Sequence, residues 1–200
     1  MYVKTDYIYY IAVLFLAVLS YFWFDLAVTG IFIPLKDTAF YNFFRVVTKL
    51  GLAEYQIVPG VLLYLIFRKR NPFWSKVGLA LALSAALAGL SADVIKFLAG
   101  RYRPSMYISD HLYGFSFFKY NYGQVSFPSG HSATIFGAMG VLSLIFKRFR
   151  FVFLAIGVMV AFSRVATLQH YVSDVLAGSA LGMASSIFVV NRIKFPAGSR

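Results

Sequence analysis

Long apolar runs dominate this sequence and restrict the folds open to it. A helix needs about 20 mostly apolar residues to cross a bilayer, and a helix satisfies its own backbone hydrogen bonds inside the hydrocarbon. We therefore predict an all-α membrane protein, a single domain over residues 1–200 with six transmembrane helices in a bundle. The six runs lie at roughly 8–27, 52–67, 77–98, 131–147, 151–168 and 171–191.

The composition agrees with a chain embedded in a membrane. Hydrophobic residues make up 60% and charged residues 13%, whereas a soluble domain carries about 25% charged residues. The net charge of +12 indicates basic cytoplasmic loops or attraction to anionic lipid headgroups. Nucleic-acid binding is disfavoured, because no soluble polar face presents the basic residues. The absence of cysteine excludes disulfides and thiolate metal sites.

Basic residues between the runs predict the orientation. In a six-span layout the main Lys and Arg clusters fall on one side, and the positive-inside rule makes that side the cytoplasm, together with both termini. Segments 28–51 and 99–130 then form an interfacial region on the outer side. Segment 28–51 is either an amphipathic helix in the interface or a plain connecting loop. The clustered residues are Lys4, Arg68, Lys69, Arg70, Lys76, Lys147, Arg148, Arg150, Arg192, Lys194 and Arg200.

A first polar cluster ends the third run on the outer side. Lys96 and Arg103 are separated by seven positions, about two helical turns, so both side chains can reach one place. Two cations there suit a phosphate, and arginine binds phosphate oxygens with two parallel hydrogen bonds. Asp93 is predicted to pair with Lys96, one helical turn away.

A second polar cluster, Pro128-Ser129-Gly130-His131, immediately precedes the fourth run. Gly130 lets backbone amides approach an anion closely, and the start of a helix favours negative charge. His131 then stands at an anion site with a side chain suited to proton transfer. The alternative is an ordinary turn in which a serine caps the helix.

A third polar cluster joins the fifth and sixth runs. His170 and Asp174 are four residues apart and share a helix face. An aspartate that accepts the histidine N–H would fix its tautomer and leave the other ring nitrogen free to attack. Arg164 adds a third cation, and charged groups at membrane depth are expensive enough to indicate a functional site. His111, in the outer loop, is predicted to be a solvated residue.

The three clusters together resemble the signature of the type-2 phosphatidic acid phosphatase superfamily, which also includes vanadium haloperoxidases and bacterial acid phosphatases. The matching stretches are Lys96 to Pro104 (K, six residues, RP), Pro128 to His131 (PSGH) and Ser163 to Asp174 (SR, five residues, H, three residues, D). The resemblance implies a membrane enzyme that cleaves phosphate from a lipid without a metal or other cofactor.

The resemblance also implies a role for each matching residue. His170 would attack phosphorus and form a phosphohistidine, Asp174 would orient His170, and His131 would protonate the leaving alcohol. The residues implied to hold the phosphate oxygens are Lys96, Arg103, Ser129, Gly130 and Arg164.

The substrate is expected to be a lipid of a bacterial inner membrane, reached from the outer face. The basic chain and the aromatic loop 105–127 slightly favour lipid A phosphate; the alternatives are phosphatidylglycerol phosphate, undecaprenyl pyrophosphate and phosphatidic acid. Loop 105–127 is either an interfacial flap or aromatic packing between helix ends. Two other classes are a vanadate-dependent haloperoxidase, disfavoured by six spans, and a non-catalytic lipid-binding protein, disfavoured by the complete signature. The oligomeric state is not predicted.

Overall fold

Helices form the regular structure throughout the described part of the chain, which confirms the all-α prediction. The computed structural model describes the backbone of residues 3–119, 121–193 and 195, and their side chains from residue 11 onward. The side chain of Lys4 and residues Tyr120, Lys194 and Arg200 therefore lie outside the described residues. The α-helices are α1 (Val3–Leu19), α2 (Asp25–Phe32), α3 (Ala39–Val47), α4 (Glu54–Phe67), α5 (Pro72–Ala99), α6 (Pro104–Asp110), α7 (Gly130–Ile145), α8 (Arg150–Ala166) and α9 (Val172–Arg192).

Five helical stretches are long and apolar enough to cross a membrane, so the chain is a multi-pass membrane protein. They are Ile11–Leu35, Ala39–Phe67, Pro72–Ala99, Lys147–Ala166 and Val172–Arg192. The predicted run 131–147 corresponds to α7, which is shorter, at 16 residues. Because α7 packs against α5, α8 and α9 and most of its residues are buried, it faces protein more than lipid. The count of six spans stays a prediction.

The first span differs from the predicted run 8–27. One π-helical turn, Ser20–Phe24, connects α1 to α2, and the helical stretch continues to Leu35. Such turns occur as single insertions in α-helices and are frequent at functional sites. Here the turn is followed by Asp25, an acidic residue that is fully buried.

Segment 28–51 is mostly helical rather than a plain connecting loop, while its location in the membrane interface stays a prediction. It contains the end of α2, all of α3 and a short 3-10 turn, Thr48–Gly51. The apolar side of α3 packs on α8, where the rings of Phe44 and Phe162 lie 5.2 Å apart. Its polar side chains, including Asn42 and Arg45, are exposed. The segment is thus an amphipathic helix attached to the bundle.

Small residues bring α7 and α9 into close contact. A Cβ atom added at Gly182 would collide with the carbonyl oxygen of Ala133, and one at Gly178 with that of Ser129. Helices in lipid associate through such close packing of small residues, because lipid tails are as apolar as leucine. The contact fixes the start of α9 beside the start of α7, where two of the predicted clusters lie.

The basic connections and the three clusters lie at opposite ends of the bundle. At the start of α5, the ring of Trp74 stacks on Phe146 at the end of α7, with centroids 5.7 Å apart. Phe146 also lies 6.4 Å from Phe153 in α8. The basic connections 68–71 and 147–149 therefore meet at one end. Lys96 and Arg164 lie near the other ends of α5 and α8.

Candidate active site

The first cluster lies where α5 ends. Gly100 has a left-handed conformation (φ 56°) and donates its N–H to the carbonyl of Lys96 at 2.9 Å, which ends the helix in the manner glycine favours. The ammonium of Lys96 contacts Asp93 at 2.8 Å, as predicted. It also lies beside Gly130, where an added Cβ would sit 2.8 Å from Lys96 Nζ. A bare backbone at Gly130 therefore lets Lys96 reach the second cluster.

Arg103 is buried and connects the outer loop to the third cluster. Its Nε donates to the carbonyl of Tyr122 at 2.8 Å and one terminal nitrogen donates to the carbonyl of Gln169 at 3.2 Å. The guanidinium also lies 4.2 Å from the centre of the Tyr122 ring. Burial lowers the pKa of Arg103 from its ordinary value, yet arginine stays charged in proteins. The side chain thus brings a positive charge beside His170, the residue after Gln169.

The second cluster forms the start of α7. The hydroxyl of Ser129 caps the helix by accepting the N–H of Ser132 at 3.4 Å, so the capping alternative is correct for this residue. The backbone N–H of Ser129 donates to the carbonyl of Asp174 at 3.0 Å, which ties the second cluster to the third. Capping by a side chain leaves other N–H groups at the helix start available, so it is compatible with anion binding.

The three predicted cations lie at the end of the bundle that holds His131, which is half-buried at the start of α7. Lys96, Arg103 and Arg164 all lie close enough for their charges to act on it. Arg164 is buried in the last turn of α8 and donates from a terminal nitrogen to Thr48 Oγ1 at 2.7 Å. Its Nε is a buried donor without a hydrogen-bond partner among the described residues. An anion beside His131 could satisfy such a donor, since buried polar groups are normally paired.

His170 is only 3% exposed, in the turn between α8 and α9. Its Nδ1 lies 2.7 Å from the carbonyl oxygen of Ser126. A carbonyl can only accept, so Nδ1 carries the proton and Nε2 keeps a free lone pair. Burial lowers the pKa of His170 to about 3, while its interaction with Asp174 opposes the shift. The imidazole is therefore neutral at physiological pH, with Nε2 unprotonated.

The geometry around Asp174 differs from the predicted direct hydrogen bond to His170. Asp174 Oδ2 lies 3.6 Å from His170 Nδ1, beyond a normal hydrogen bond, because the carbonyl of Ser126 occupies the accepting position. The carboxylate instead accepts the hydroxyl of Ser126 at 2.6 Å and the N–H of Tyr171 at 2.9 Å. Asp174 therefore acts on the ring through its nearby charge and through Ser126.

Two residues of this site, Arg101 and Asp25, were missed by the sequence analysis. Arg101 is completely buried and donates from one terminal nitrogen to Asp174 and from the other to Asp25 Oδ2 at 2.6 Å. Burial alone would lower the pKa of Arg101, but the two carboxylates raise it above its ordinary value. An acidic residue within a membrane span is a signal for function, so Asp25 could have been found. Four rings surround the guanidinium at 4.7 to 5.5 Å, those of Tyr21, Tyr113, Phe115 and Tyr171.

The buried ion cluster also attaches the first span to α9. Asp25 Oδ1 accepts the hydroxyl of Ser20 at 2.8 Å and the N–H of Ser173 at 2.9 Å. Arg101 donates to the hydroxyl of Ser173 at 2.6 Å. Each carboxylate thus has several donors, as buried charges require. Asp25, in the first span, therefore holds Ser173 beside Asp174, although the two parts of the chain are far apart in the sequence.

A family comparison agrees with this geometry. A model of the PAP2 superfamily matches residues 77–195, a range that contains all three clusters and more than half of the chain. The chain belongs to the PAP2 superfamily.

Named relatives of this PAP2 chain include lipid phosphatases. The lipid A 1-phosphatase of Rhizobium johnstonii is 35% identical over 108 residues, which cover 54% of this chain and 44% of that protein. The putative phosphatidate phosphatase of Drosophila melanogaster is 28% identical over 173 residues, covering 65% of this chain and 45% of that protein. The chain spans about half the length of the curated relatives it matches.

Two solved structures share the fold of this PAP2 chain. The transmembrane PAP2-type phosphatidylglycerolphosphate phosphatase of Bacillus subtilis gives a TM-score of 0.70 at 24% identity, with 97% of this chain and 98% of that chain covered. LpxE of Aquifex aeolicus gives a TM-score of 0.63 at 21% identity, with 84% and 94% covered. At these identities the likeness shows the fold.

Loop 105–127 shows the predicted aromatic packing, while its location in the membrane interface stays a prediction. Tyr113 and Phe115 pack around Arg101, whereas the side chains of Phe118 and Tyr122 are 67% and 68% exposed. The loop is therefore anchored at its centre and presents aromatic rings at its rim. His111, at the end of α6, is exposed and lies outside the three clusters.

We predict that Ser126→Ala slows the reaction without preventing it. The substitution removes the hydroxyl that donates to Asp174 but keeps the carbonyl that holds His170. A hydrogen bond to a charged group contributes about 1.5–3 kcal/mol, so we expect kcat to fall roughly 10- to 100-fold with little change in KM. Ser109→Ala, on the exposed side of α6, is the matched control. An unchanged kcat would show that the hydroxyl does not support Asp174.

Proposed function

We propose that this chain is a membrane lipid phosphatase that cleaves a phosphate ester through a phosphohistidine on His170, without a metal. The observation that carries the proposal is the grouping of three cationic side chains at the end of the bundle that holds His131 and the buried His170. Lys96 lies against Gly130, and Arg164 has a buried Nε without a hydrogen-bond partner among the described residues. Those cations are Lys96, Arg103 and Arg164, and they supply the charge neutralisation that phosphoryl transfer needs. Family membership supports the same reaction class.

The reaction proceeds in two displacements at phosphorus. The negative charge of the bound phosphate favours the protonated form of His131. Nε2 of His170 then attacks, the bond between phosphorus and the lipid oxygen breaks, and protonated His131 donates its proton to that oxygen. Water then attacks the phosphohistidine while His131 takes a proton from it, which releases inorganic phosphate and restores both histidines. The cations, Ser129 and the Gly130 amide bind the phosphate oxygens throughout, and Asp174 stabilises the positive charge that develops on His170.

The proposed location is a bacterial inner membrane with the site on the outer face. The basic connections lie at the opposite end of the bundle from the clusters, and the positive-inside rule assigns that end, with both termini, to the cytoplasm. The site then receives lipids whose acyl chains stay in the bilayer. The multi-pass architecture also disfavours a haloperoxidase.

Lipid A phosphate is the favoured substrate. The name of the Rhizobium relative, at 35% identity, supports this preference, and the basic composition agrees with an anionic glycolipid. The alternatives are phosphatidylglycerol phosphate, undecaprenyl pyrophosphate and phosphatidic acid, since the three clusters bind the phosphate rather than the group attached to it.

Phosphate release from these four lipids, in nonionic detergent with and without a chelator, tests the proposal. We expect release that is fastest from lipid A and unaffected by the chelator, since the cations come from the protein. Loss of activity that a divalent metal restores would contradict the metal-free mechanism. Release from another lipid alone would change the substrate but keep the reaction. Vanadate-dependent halide oxidation without phosphate release would identify a haloperoxidase.

A further inference from the structure

A cavity of about 510 Å³ opens beside His131, and every other residue that lines it lies outside the family-matched region. Its other walls come from α3, the 3-10 turn that follows and Leu52, and its polar lining includes Asn42, Arg45, Thr48 and Lys49. Small-molecule sites have volumes of roughly 300–1,000 Å³, so the cavity has room for a polar headgroup larger than a phosphate.

The cavity adjoins the proposed phosphate site through two direct contacts. Thr48, in its wall, accepts the hydrogen bond from Arg164 at 2.7 Å. Gly51 packs against His131 so closely that a Cβ added there would lie 2.8 Å from His131 Cβ. The carbonyl of Gly51 also accepts the hydroxyl of Thr134 at 2.6 Å. The wall that carries Arg45 and Lys49 is therefore fixed to the start of α7.

The position of His131 defines what the cavity faces. In the proposed reaction His131 donates a proton to the oxygen that leaves phosphorus, so the leaving part of the substrate lies on its side. His131 is itself part of the lining of the cavity. The cavity is thus placed to receive the headgroup from which the phosphate is removed.

The charges of the lining select for an anion. Arg45 and Lys49 are exposed, and among the described residues neither forms an ion pair with a carboxylate. None of the described residues that line the cavity is acidic. Asn42 adds an amide that can donate hydrogen bonds. Two cations and a donor facing one space favour phosphate-like groups over neutral ones.

We propose that this cavity binds the leaving headgroup and that Arg45 and Lys49 contact a second anionic group on it, separate from the phosphate that is cleaved. The substrate class is then a lipid with two anionic groups, such as a glycolipid with two phosphates or a phospholipid with a phosphodiester and a terminal phosphate. The inference rests on the proposed phosphatase function and deepens it.

Two matched substrate pairs test the inference. One pair is lipid A with both phosphates and lipid A with the cleaved phosphate alone; the other is phosphatidylglycerol phosphate and phosphatidic acid. In nonionic detergent, we expect the wild-type protein to give a higher kcat/KM for the doubly anionic member of at least one pair. Substituting both Arg45→Gln and Lys49→Gln should reduce that preference roughly tenfold, because partly exposed ion pairs are of moderate strength.

The control removes two charges at the other end of the bundle. Arg68→Gln with Lys69→Gln leaves the connection between α4 and α5 without these cations and should not alter the preference. If the Arg45→Gln, Lys49→Gln variant loses kcat/KM equally for both members of each pair, the inference is wrong. The two cations would then attract anionic lipids in general or stabilise the fold. An unchanged preference would overturn the inference too.

A neighbouring anionic lipid could supply the same charge as a second group on the substrate. Phosphatidylglycerol added to the micelles should therefore not raise the rate on the singly anionic substrates. A rise that disappears in the Arg45→Gln, Lys49→Gln variant would assign the cavity to a neighbouring lipid and contradict the inference. If the wild-type protein releases no phosphate from any member of the two substrate pairs, both the proposed function and this inference are wrong. If the wild-type protein releases phosphate with equal kcat/KM from both members of each pair, the inference is wrong and the proposed function stands.

Discussion

Replacing His170 with alanine is expected to abolish phosphate release while the protein still inserts and folds. In the proposed mechanism the side chain supplies the attacking nitrogen, and its loss removes the covalent step that divides the reaction in two. Removing a nucleophile lowers kcat by several orders of magnitude, so we expect a loss of roughly 10⁴-fold or more. Steady-state phosphate release and thermal unfolding in detergent measure the two properties.

The covalent intermediate gives a second measurement for the same prediction. Wild-type protein quenched in alkali during turnover of a substrate radiolabelled in the phosphate should carry label, since a phosphohistidine survives alkali and is lost in acid. The His170→Ala variant should carry none. The matched control is His111→Ala, which removes the one exposed histidine outside the three clusters and should keep wild-type turnover. Wild-type-like turnover in His170→Ala would refute the assignment of the nucleophile.

The predicted clusters could be placed from the sequence because each one lies at a helix end. The turn between α8 and α9 is short, so covalent spacing alone keeps Arg164, His170 and Asp174 within reach of one another. Lys96 reaches Gly130 because both lie at the same end of two packed helices. Alternation of spans across a bilayer determines which ends meet, and that alternation is visible in the apolar runs.

The features that could not be predicted depend on contacts between distant parts of the chain or on backbone atoms. Arg101 and Asp25 are 76 positions apart, and a single sequence does not indicate which buried charges pair. The acceptor for His170 is a backbone carbonyl, which every residue possesses. The burial of α7 could not be predicted either, because hydropathy does not distinguish residues that face protein from those that face lipid.

Replacing Arg101 with methionine is expected to be among the most destabilising substitutions in the chain. The guanidinium is completely buried between Asp25 and Asp174, and the substitution leaves two buried carboxylates without their shared cation. Breaking a buried ion pair by removing one partner costs about 3–5 kcal/mol. Unfolding of the purified protein in detergent measures the loss, with Arg68→Met, in the exposed connection after α4, as the control.

A double-mutant cycle separates the ion cluster from simple loss of packing. Asp25→Asn alone leaves the contact between Arg101 and Asp174, and also leaves donors for the amide oxygen, so its effect on stability should be smaller. In the double variant, Asp25→Asn removes one of the two buried carboxylate charges that Arg101→Met leaves without a cation. The double variant should therefore be more stable than Arg101→Met alone, a departure from additivity that groups in contact show. Additive losses would mean that the two side chains stabilise the fold independently.

The same cluster should influence catalysis through position rather than contact with substrate. The backbone carbonyl of Arg101 accepts the N–H of Ser126 at 3.0 Å, and Ser126 holds both His170 and Asp174. Asp25→Asn should thus lower kcat and leave KM nearly unchanged, since an interaction needed only for the reacting geometry affects the transition state. Asp25→Glu, which keeps the charge, should recover part of kcat. A rise in KM with unchanged kcat would instead indicate that Asp25 shapes the binding of the lipid, and the first span would then act on the substrate rather than on Asp174.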